Sequence, residues 1–440
     1  MKRVNVGICG LGTVGSGTFN VLTRNKIDID AKAGRDITVT HVGARQVSPS
    51  CNIENTQFST DIFAVAEDPN VDIVVELIGG TTVAKDLVMK ALGNGKHVVT
   101  ANKALIAEFG NEIFAEAVKN RVTVSYEAAV AGGIPIIRAL REGLVANRIE
   151  WLAGIINGTG NFILTEMRDK GRNFDDVLKE AQELGYAEAD PTFDVEGIDA
   201  AHKLVILASI AFGMPLQFDK VFTEGISDIS PEDVAFADEL GYRIKHLGIT
   251  CRRPNQGIEL RVHPTLIPAS RLIANVDGVM NAVLVKGDAV GPTLYYGAGA
   301  GSEPTASAVI SDIVHTSRLL NGDTSEVEYN ASVPHLGFAL DHLCDYNILP
   351  IEEIETAYYL RISAIDRPGV LSKITQILSD AGISIEALIQ KEAKENQNHV
   401  PVILLTNRAV EKQIISAIEK IEQLDSVTDK VVRIRVESLK

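Results

Sequence analysis

The chain has 440 residues and a formal net charge of −16, from 42 Lys and Arg against 58 Asp and Glu. With 45% hydrophobic and 23% charged residues, its composition is that of a globular protein of about two to four domains. The acidic balance argues against nucleic acid as a partner, and no apolar run reaches the ~18 residues of a membrane span. Four scattered cysteines predict neither a zinc site nor disulfides, and they favour a reducing, cytoplasmic compartment.

The first ~130 residues are predicted to alternate strand and helix. The predicted strands are 4–9, 37–44, 71–78, 97–100 and 122–126, and the helices between them lie near 16–24, 84–94 and 108–120. The run 71–78 is almost wholly apolar, as in a parallel strand that is covered on both faces. This order predicts an α/β fold with a Rossmann doubly wound parallel sheet, in a nucleotide-binding domain of residues 1–130.

The pattern changes after residue 130. Helices are predicted at 162–170, 174–184, 198–212 and 304–320, with β-type runs between 244 and 285 that are broken by a hairpin signal at 253–257. We predict that residues 131–301 form an α/β substrate and dimerisation domain. The segment 302–345 is expected to pack back on the first domain.

The last part of the chain, residues 356–440, is predicted to be a separate domain. Its elements follow the order strand, helix, strand, strand, helix, strand, at 359–365, 370–381, 383–390, 400–406, 410–421 and 431–436. This βαββαβ order is the ferredoxin-like one.

A glycine-rich run, Gly10-Leu11-Gly12-Thr13-Val14-Gly15, follows the first strand and opens a helix, the context that a dinucleotide fingerprint requires. Gly10 allows the tight turn, Gly12 lets backbone N–H groups approach a pyrophosphate, and Gly15 lets the helix pack close to the strand. Gly10, Gly12, Thr13, Val14 and Gly15 are therefore cofactor-site candidates. A strand–turn–helix without a ligand is the alternative.

Two further positions belong to the predicted nucleotide site. Arg45 follows the second strand, where NAD-preferring sites usually place an acid for the ribose 2′-OH. It could pair with a 2′-phosphate, which favours NADP over NAD, or it could be a solvated surface arginine. Thr100 and Lys103 lie at or just past the carboxyl end of the strand 97–100, where ligands bind in open α/β sheets.

The segment 185–203 carries five acids and then a lysine. Asp199 and Lys203 are four positions apart and share one face of the predicted helix, which continues as an apolar run. A partly buried lysine beside carboxylates is a candidate proton donor, because burial and acidic neighbours change its proton affinity in opposite directions. From spacing alone, a structural i,i+4 ion pair is an equally good interpretation.

The motif GYAEADPTFDVEGIDAAHKLVILA at 185–208, with NGTGNFIL at 157–164 and GLGTVG at 10–15, resembles homoserine dehydrogenase. The resemblance runs through about residues 1–345. It implies the reversible interconversion of L-homoserine and L-aspartate 4-semialdehyde with NAD(P), in threonine, isoleucine and methionine biosynthesis. It also implies a monofunctional enzyme of the bacterial type, since no aspartate kinase segment precedes residue 1.

The same resemblance implies roles for individual residues. These are acid/base catalysis for Lys203, substrate binding for Glu188 and Asp199, cofactor contact for Gly185 and Gly301, and contact with both for Lys103. Asp194 is a weaker candidate for the carboxylates that bind the substrate ammonium group. A monovalent cation, typically sodium, is implied through the Glu127 side chain and the backbone carbonyls of Val130, Gly132 and Ile134.

The run from Tyr359 to Leu371 is similar to the opening of an ACT domain, an amino-acid-sensing module. Its Asp366-Arg367-Pro368-Gly369 turn makes Asp366 and Gly369 effector-site candidates, because N–H groups at a helix start can receive a carboxylate. The resemblance implies pairing of these domains, hence a homodimer or homotetramer, and L-threonine is the natural effector hypothesis. A dimerising module that has lost its ligand is the alternative.

Two rival functions remain open at this stage. Aspartate-semialdehyde dehydrogenase chemistry needs a nucleophilic cysteine, and none lies in 157–203. A non-catalytic NADP-binding amino-acid sensor would keep the fingerprint and the ACT domain, but the presence of Lys203, Asp199 and Glu188 argues against it.

Overall fold

A computed structural model describes residues 2–320, 333–391 and 399–440. The amino-terminal part alternates strands and helices, in the order β1 (Arg3–Cys9), α1 (Thr13–Arg24), α2 (Lys26–Ala33), β2 (Asp36–Gly43), β3 (Gln57–Ser59), α3 (Phe63–Glu67), β4 (Ile73–Glu76), α4 (Thr82–Gly93), β5 (His97–Thr100), α5 (Lys103–Lys119) and β6 (Val124–Ser125). The central part continues with α6 (Ile136–Arg138), β7 (Ile149–Ile155), α7 (Gly158–Lys170), α8 (Phe174–Glu183), α9 (Thr192–Val195), α10 (Ile198–Phe212), β8 (Phe222–Thr223), α11 (Pro231–Glu239), β9 (Tyr242–Arg253), β10 (Gly257–Pro268), β11 (Met280–Gly287), β12 (Gly291–Ala298) and α12 (Ser302–Leu319). The last part comprises β13 (Glu355–Ile365), α13 (Val370–Asp380), β14 (Ile385–Gln390), β15 (His399–Thr406), β16 (Ala409–Val410), α14 (Glu411–Glu422) and β17 (Val432–Val436).

The first sheet is parallel throughout, with the strand order β3-β2-β1-β4-β5-β6. Every residue of β4 and β5 is buried, as expected for central strands that helices cover on both faces. The strand order reverses between β1 and β4, so a crevice for a ligand is expected at the carboxyl ends of these two strands. The predicted Rossmann sheet is confirmed.

The chain forms two compact units, each built from three segments. The first unit comprises Met1–Gly158, Asp199–Val221 and Val279–Tyr346, and the second comprises Thr159–Ile198, Phe222–Gly278 and Asn347–Lys440. In the first unit, Val309 and Ile313 of α12 share one core with Val6, Ile8 and Phe19 of β1 and α1. The domain limits predicted at residues 130 and 301 stay a proposal. Residues 321–332, which belong to the predicted segment 302–345, lie outside the described residues.

The second unit contains a sheet with the order β9-β10-β17-β13-β15-β14. Strands β13, β14, β15 and β17 give the ferredoxin-like arrangement with α13 and α14 on one face, and that part of the predicted fold class is confirmed. β17 also pairs in parallel with β10, and α7, α8 and α11 cover the other face of the sheet. The carboxy-terminal elements therefore share one continuous sheet with residues of the central region.

No helix within the described ranges combines the length and the apolar character needed to cross a membrane.

His97, at the start of β5, must be uncharged to accept one of its buried hydrogen bonds. Its Nδ1 atom accepts a hydrogen bond from the Thr123 backbone N–H at 3.1 Å, and a protonated Nδ1 could not accept it. Burial lowers the pKa of His97 to about 4. Because this folded-state pKa lies below the ordinary value of about 6.5, His97 contributes stability above that pH, and the contribution is lost as the pH falls towards 4.

We therefore expect the free energy of unfolding to decrease by up to about 3 kcal/mol on acidification through this range because of His97 alone. In His97→Asn, whose amide oxygen can still accept from Thr123, the free energy should be lower at neutral pH but should depend less steeply on pH. Urea unfolding over a pH series measures both quantities. His342→Asn, at a side chain that is 75% exposed, is the matched control and should keep the wild-type slope. An unchanged slope in His97→Asn would refute the assignment.

Candidate active site

The glycine-rich loop is held tightly between β1 and α1. Gly10 has a φ of +99°, a conformation that favours glycine, and a Cβ there would lie 2.6 Å from the Leu77 carbonyl oxygen. A Cβ at Gly15 would lie 2.0 Å from the Gly10 carbonyl oxygen. The tight turn and the close helix packing that the sequence predicts therefore have a steric basis at these two positions.

The start of α1 can receive an anion. A Cβ at Gly12 would meet nothing within 4 Å, and the first turn of α1 has neither an acidic residue nor a side-chain cap. The first N–H groups of a helix lack intrahelical partners and lie at the positive end of its dipole, so they attract phosphate. The backbone from Gly12 to Gly15, which includes Thr13 and Val14, therefore fits the pyrophosphate of a dinucleotide.

Two predicted cofactor residues lie near this loop. The Ser302 hydroxyl donates to the Thr13 carbonyl oxygen at 2.8 Å, which places Gly301, the residue before α12, beside the loop. Arg45 lies two residues beyond β2, and its side chain is exposed. β2 ends at Gly43, whose carbonyl oxygen accepts the Gly10 N–H at 2.8 Å, so Arg45 leaves the sheet at the edge where the loop lies.

Sequence reasoning missed a buried acid in the same crevice. Glu76 ends β4 and is fully buried, and it accepts hydrogen bonds from the Ile78 N–H at 2.9 Å and the Thr100 hydroxyl at 2.6 Å. Burial raises the pKa of Glu76, and these hydrogen bonds oppose that effect. The signal in the sequence was an acid at the end of an almost wholly apolar strand.

The predicted pair Asp199 and Lys203 lies at the start of α10. The Lys203 ammonium group donates to Asp199 Oδ2 at 2.6 Å and to the Ile156 carbonyl oxygen at 2.7 Å. Lys103 lies 3.0 Å from Asp199 Oδ1, and the Asn157 side chain donates to Oδ2 at 2.9 Å. The structure thus brings Lys103, Asp199 and Lys203 together, in the same compact unit as the glycine-rich loop.

Asp199 is charged in this setting. Burial acts to raise its pKa, but the positive charges of Lys203 and Lys103 and the hydrogen bonds from Lys203 and Asn157 hold the pKa well below its usual range. One carboxylate between two ammonium groups leaves the three side chains with a net positive charge. Such a cluster can exchange a proton through an amine and can attract a negatively charged group of a ligand.

Three predicted site residues belong to the second unit, which is described by itself. Glu188 is exposed, with its backbone carbonyl oxygen accepting from the Gln182 side chain at 3.1 Å. Asp194 is half-buried in α9, and Gly185 is exposed with a φ of +75°. Their predicted roles towards substrate and cofactor stay predictions.

The predicted cation site surrounds a buried acid. Glu127 accepts the backbone N–H groups of Ile137 and Arg138, each at 2.8 Å, and burial raises its pKa. Its first role is therefore to hold the start of α6. Within the described ranges, no group of three or more His, Cys, Asp and Glu side chains could hold a metal ion, so the set at Glu127, Val130, Gly132 and Ile134 would rely on backbone carbonyls.

The predicted effector turn precedes α13. Gly369 is the residue before the helix and has a φ of +89°, and α13 has no acidic residue in its first turn. Asp366 accepts from the Gln390 side chain of β14 at 3.4 Å. An anion could approach the N–H groups of α13 on chemical grounds, and the ligand assignment stays a prediction.

A parallel sheet with a glycine-rich loop, joined in one unit to a buried lysine–aspartate cluster, is the arrangement expected of a dinucleotide-dependent oxidoreductase. Three family models match the chain: the NAD-binding domain of homoserine dehydrogenase over residues 10–127, homoserine dehydrogenase over residues 135–314 and the ACT domain over residues 358–423. A homoserine dehydrogenase of Pseudomonas aeruginosa is 64% identical over 439 residues, and that of Neisseria gonorrhoeae is 55% identical over 445 residues, with full coverage of all chains. The chain belongs to the homoserine dehydrogenase family.

A solved structure supports the same conclusion. The crystal structure of a homoserine dehydrogenase from Thiobacillus denitrificans is 62% identical to this chain and superposes with a TM-score of 0.93, covering 100% of this chain and 99% of the other. The family resemblance seen in the sequence is therefore confirmed.

Proposed function

We propose that the protein catalyses the reversible NAD(P)-dependent interconversion of L-homoserine and L-aspartate 4-semialdehyde, in threonine, methionine and isoleucine biosynthesis. The observation that carries this proposal is the Lys203 ammonium group at 2.6 Å from the charged Asp199, inside the unit that holds the glycine-rich loop. The alternative, a non-catalytic NADP-binding sensor, is not favoured, because relatives that match over their full length are named as dehydrogenases.

The bound nicotinamide would supply the hydride chemistry. The chain's own residues must hold the alcohol carbon near the ring and move the hydroxyl proton. Lys203 would accept that proton during oxidation of homoserine and return it to the same oxygen during reduction of the aldehyde. Asp199 stabilises the ammonium form and therefore favours proton donation to the aldehyde oxygen.

An amino-acid substrate carries an ammonium group and a carboxylate group, so its recognition would need side chains of both charges. Glu188, with Asp194 as a weaker candidate, is proposed to offer a carboxylate to the substrate ammonium group. Asp199 is also proposed to bind the substrate. Lys103 offers a cation towards the substrate or cofactor. Gly185, Gly301 and Thr100 complete the proposed cofactor contacts.

The direct test is turnover of L-homoserine with NADP or NAD, followed by the near-ultraviolet absorbance of the reduced cofactor. We expect turnover with at least one of the two cofactors. If neither supports turnover while NADPH still binds, the sensor is the better assignment.

Arg45 is proposed to select NADP by pairing with the 2′-phosphate. In Arg45→Ala, we expect the ratio of kcat/KM for NADP to that for NAD to fall by about 10- to 100-fold, the loss of one charge-assisted contact. Steady-state kinetics with both cofactors measure the ratio. Arg35→Ala, in the same domain, is the control and should leave the ratio unchanged. An unchanged ratio in Arg45→Ala would show that Arg45 is a solvated surface residue.

Two further ligands are proposed. A sodium ion would be held by the Glu127 carboxylate and the carbonyl oxygens of Val130, Gly132 and Ile134, a set of hard oxygen ligands. L-Threonine is proposed as the effector of the ACT domain, near Asp366 and Gly369, in a homodimer or homotetramer.

The four cysteines are free thiols, which supports a reducing, cytoplasmic compartment.

We expect millimolar L-threonine to lower the initial rate of homoserine oxidation. In Asp366→Ala, inhibition should require at least about tenfold more threonine, because one favourable contact is worth roughly 1.4 kcal/mol. Initial rates over a threonine series measure the inhibition, with L-serine as a control ligand. Equal rates with and without threonine would favour a module that has lost its ligand.

A further inference from the structure

Glu76 connects two loops that follow neighbouring strands. Its Oε1 atom accepts the Ile78 N–H at 2.9 Å and the Gly79 N–H at 3.3 Å, in the loop after β4. Its Oε2 atom accepts the Thr100 hydroxyl at 2.6 Å, at the end of β5. A single carboxylate thus serves three donors that the sheet alone does not satisfy.

The hydrogen bonds continue from Thr100 to the start of α5. The Thr100 hydroxyl oxygen accepts the Asn102 N–H at 3.0 Å. The Asn102 side chain then accepts the Leu105 N–H at 3.1 Å, which caps α5, and donates to the Gly80 carbonyl oxygen at 2.6 Å. Asn102 therefore ties the two loops together a second time, and its position depends on Thr100 and Glu76.

Lys103 is the first residue of α5, directly after this cap. Its ammonium group lies 3.0 Å from Asp199, which also contacts Lys203. The cap fixes where the first turn of α5 lies, and so it fixes the direction of the Lys103 side chain. A shift of the cap would therefore move Lys103 relative to Asp199.

We propose that Glu76 is a positioning residue for the dehydrogenase reaction, which sets the place of Lys103 against Asp199 through Thr100 and Asn102. The proposal rests on the proposed function, because it uses the roles given there to Lys103 and Asp199. A buried acid is costly compared with an apolar residue of similar size, and a core position needs no carboxylate for packing alone. The two oxygens and their three donors supply the reason for an acid at the end of β4.

The decisive variants are Glu76→Gln and Thr100→Val, alone and together. A glutamine keeps an acceptor oxygen for only one loop, and its NH2 group leaves the Thr100 hydroxyl without its charged acceptor. Valine removes both the hydroxyl that donates to Glu76 and the acceptor for the Asn102 N–H. We expect kcat/KM for homoserine to fall by about 10- to 100-fold in each single variant, the usual effect of a small misplacement in an active site. The double variant should be no worse than about twofold below the poorer single variant, because both break one chain of contacts.

The matched controls separate positioning from general loss of structure. Thr100→Ser keeps the hydroxyl that Thr100→Val lacks, so its kcat/KM should lie at least about threefold above that of Thr100→Val. Glu67→Gln changes an exposed acid of the same domain, paired with Lys90, and should behave as wild type. If losses multiply in the double variant, or if Thr100→Ser is as poor as Thr100→Val, the proposed linkage is wrong.

Amide hydrogen exchange provides a readout that does not depend on turnover. In Glu76→Gln, peptides that cover 77–80 and 100–105 should exchange faster than in wild type, while those of α4 should not. If wild type fails to oxidise homoserine, the proposed function fails, and the exchange data still decide the role of Glu76. Unchanged exchange in both loops would overturn the positioning role.

Discussion

Replacement of Lys203 by methionine is expected to lower kcat for homoserine oxidation by about 10²- to 10⁴-fold, the usual range for loss of a general acid or base. Methionine keeps the length and the apolar stem of lysine but cannot exchange a proton. Asp199 would still be paired with Lys103 and bonded to Asn157, so the carboxylate does not become an isolated buried charge. We therefore expect a folded protein with a selective loss of the chemical step.

The measurement combines steady-state kinetics with NADPH affinity and thermal unfolding. NADPH should bind within about threefold of wild type, since Lys203 lies on α10 and not in the glycine-rich loop. Lys220→Met is the matched control: Lys220 is an exposed lysine of the same unit, bonded to Gln217 at 2.6 Å. Near wild-type kcat in folded Lys203→Met would assign Lys203 to a structural ion pair.

Among the substitutions Gly12→Ala, Gly15→Ala and Gly93→Ala, Gly15→Ala is expected to perturb the nucleotide site most. The new Cβ would lie 2.0 Å from the Gly10 carbonyl oxygen, and a backbone atom cannot rotate away as a side chain could. Either the loop or α1 must move, at a cost of about 1–3 kcal/mol for overpacking. If that cost falls on the bound conformation, KM for NADP rises by roughly 5- to 150-fold.

Gly12→Ala and Gly93→Ala make the comparison specific. A Cβ at Gly12 meets nothing within 4 Å, so Gly12→Ala should keep the wild-type melting temperature. Its affinity for NADPH should still fall, because the new methyl group would occupy the space proposed for the pyrophosphate. Gly93, in α4, also has open space and should tolerate alanine in both assays. Wild-type cofactor affinity and melting temperature in Gly15→Ala would show that the loop does not hold the cofactor.

Local patterns predicted several elements closely. α10 spans Ile198–Phe212, as its apolar period predicts, and α8 begins at Phe174 as predicted. By contrast, α2 was missed because KIDIDAKA alternates apolar and polar residues like a strand, although it is a helix with Ile27 87% exposed. α5 was predicted to begin at residue 108 but begins at Lys103, because the Asn102 side chain caps it.

That last difference changes the site. With a helix start at residue 108, Lys103 would lie in a loop, whereas the structure makes it the first helical residue. The cap depends in turn on Thr100 and Glu76, whose contacts join the ends of two strands. No pattern within a short window of sequence contains such a contact.

The sequence by itself determined the alternation of strands and helices, the glycine-rich loop and the i,i+4 pair of Asp199 and Lys203. These features depend on period, steric freedom and neighbours within one or two helical turns, all of which are local. The tertiary structure alone decided that Lys103 and Asn157 meet Asp199 and that β17 pairs with β10. These contacts join distant parts of the chain, and burial of apolar surface and pairing of strand edges select them only when the whole fold forms.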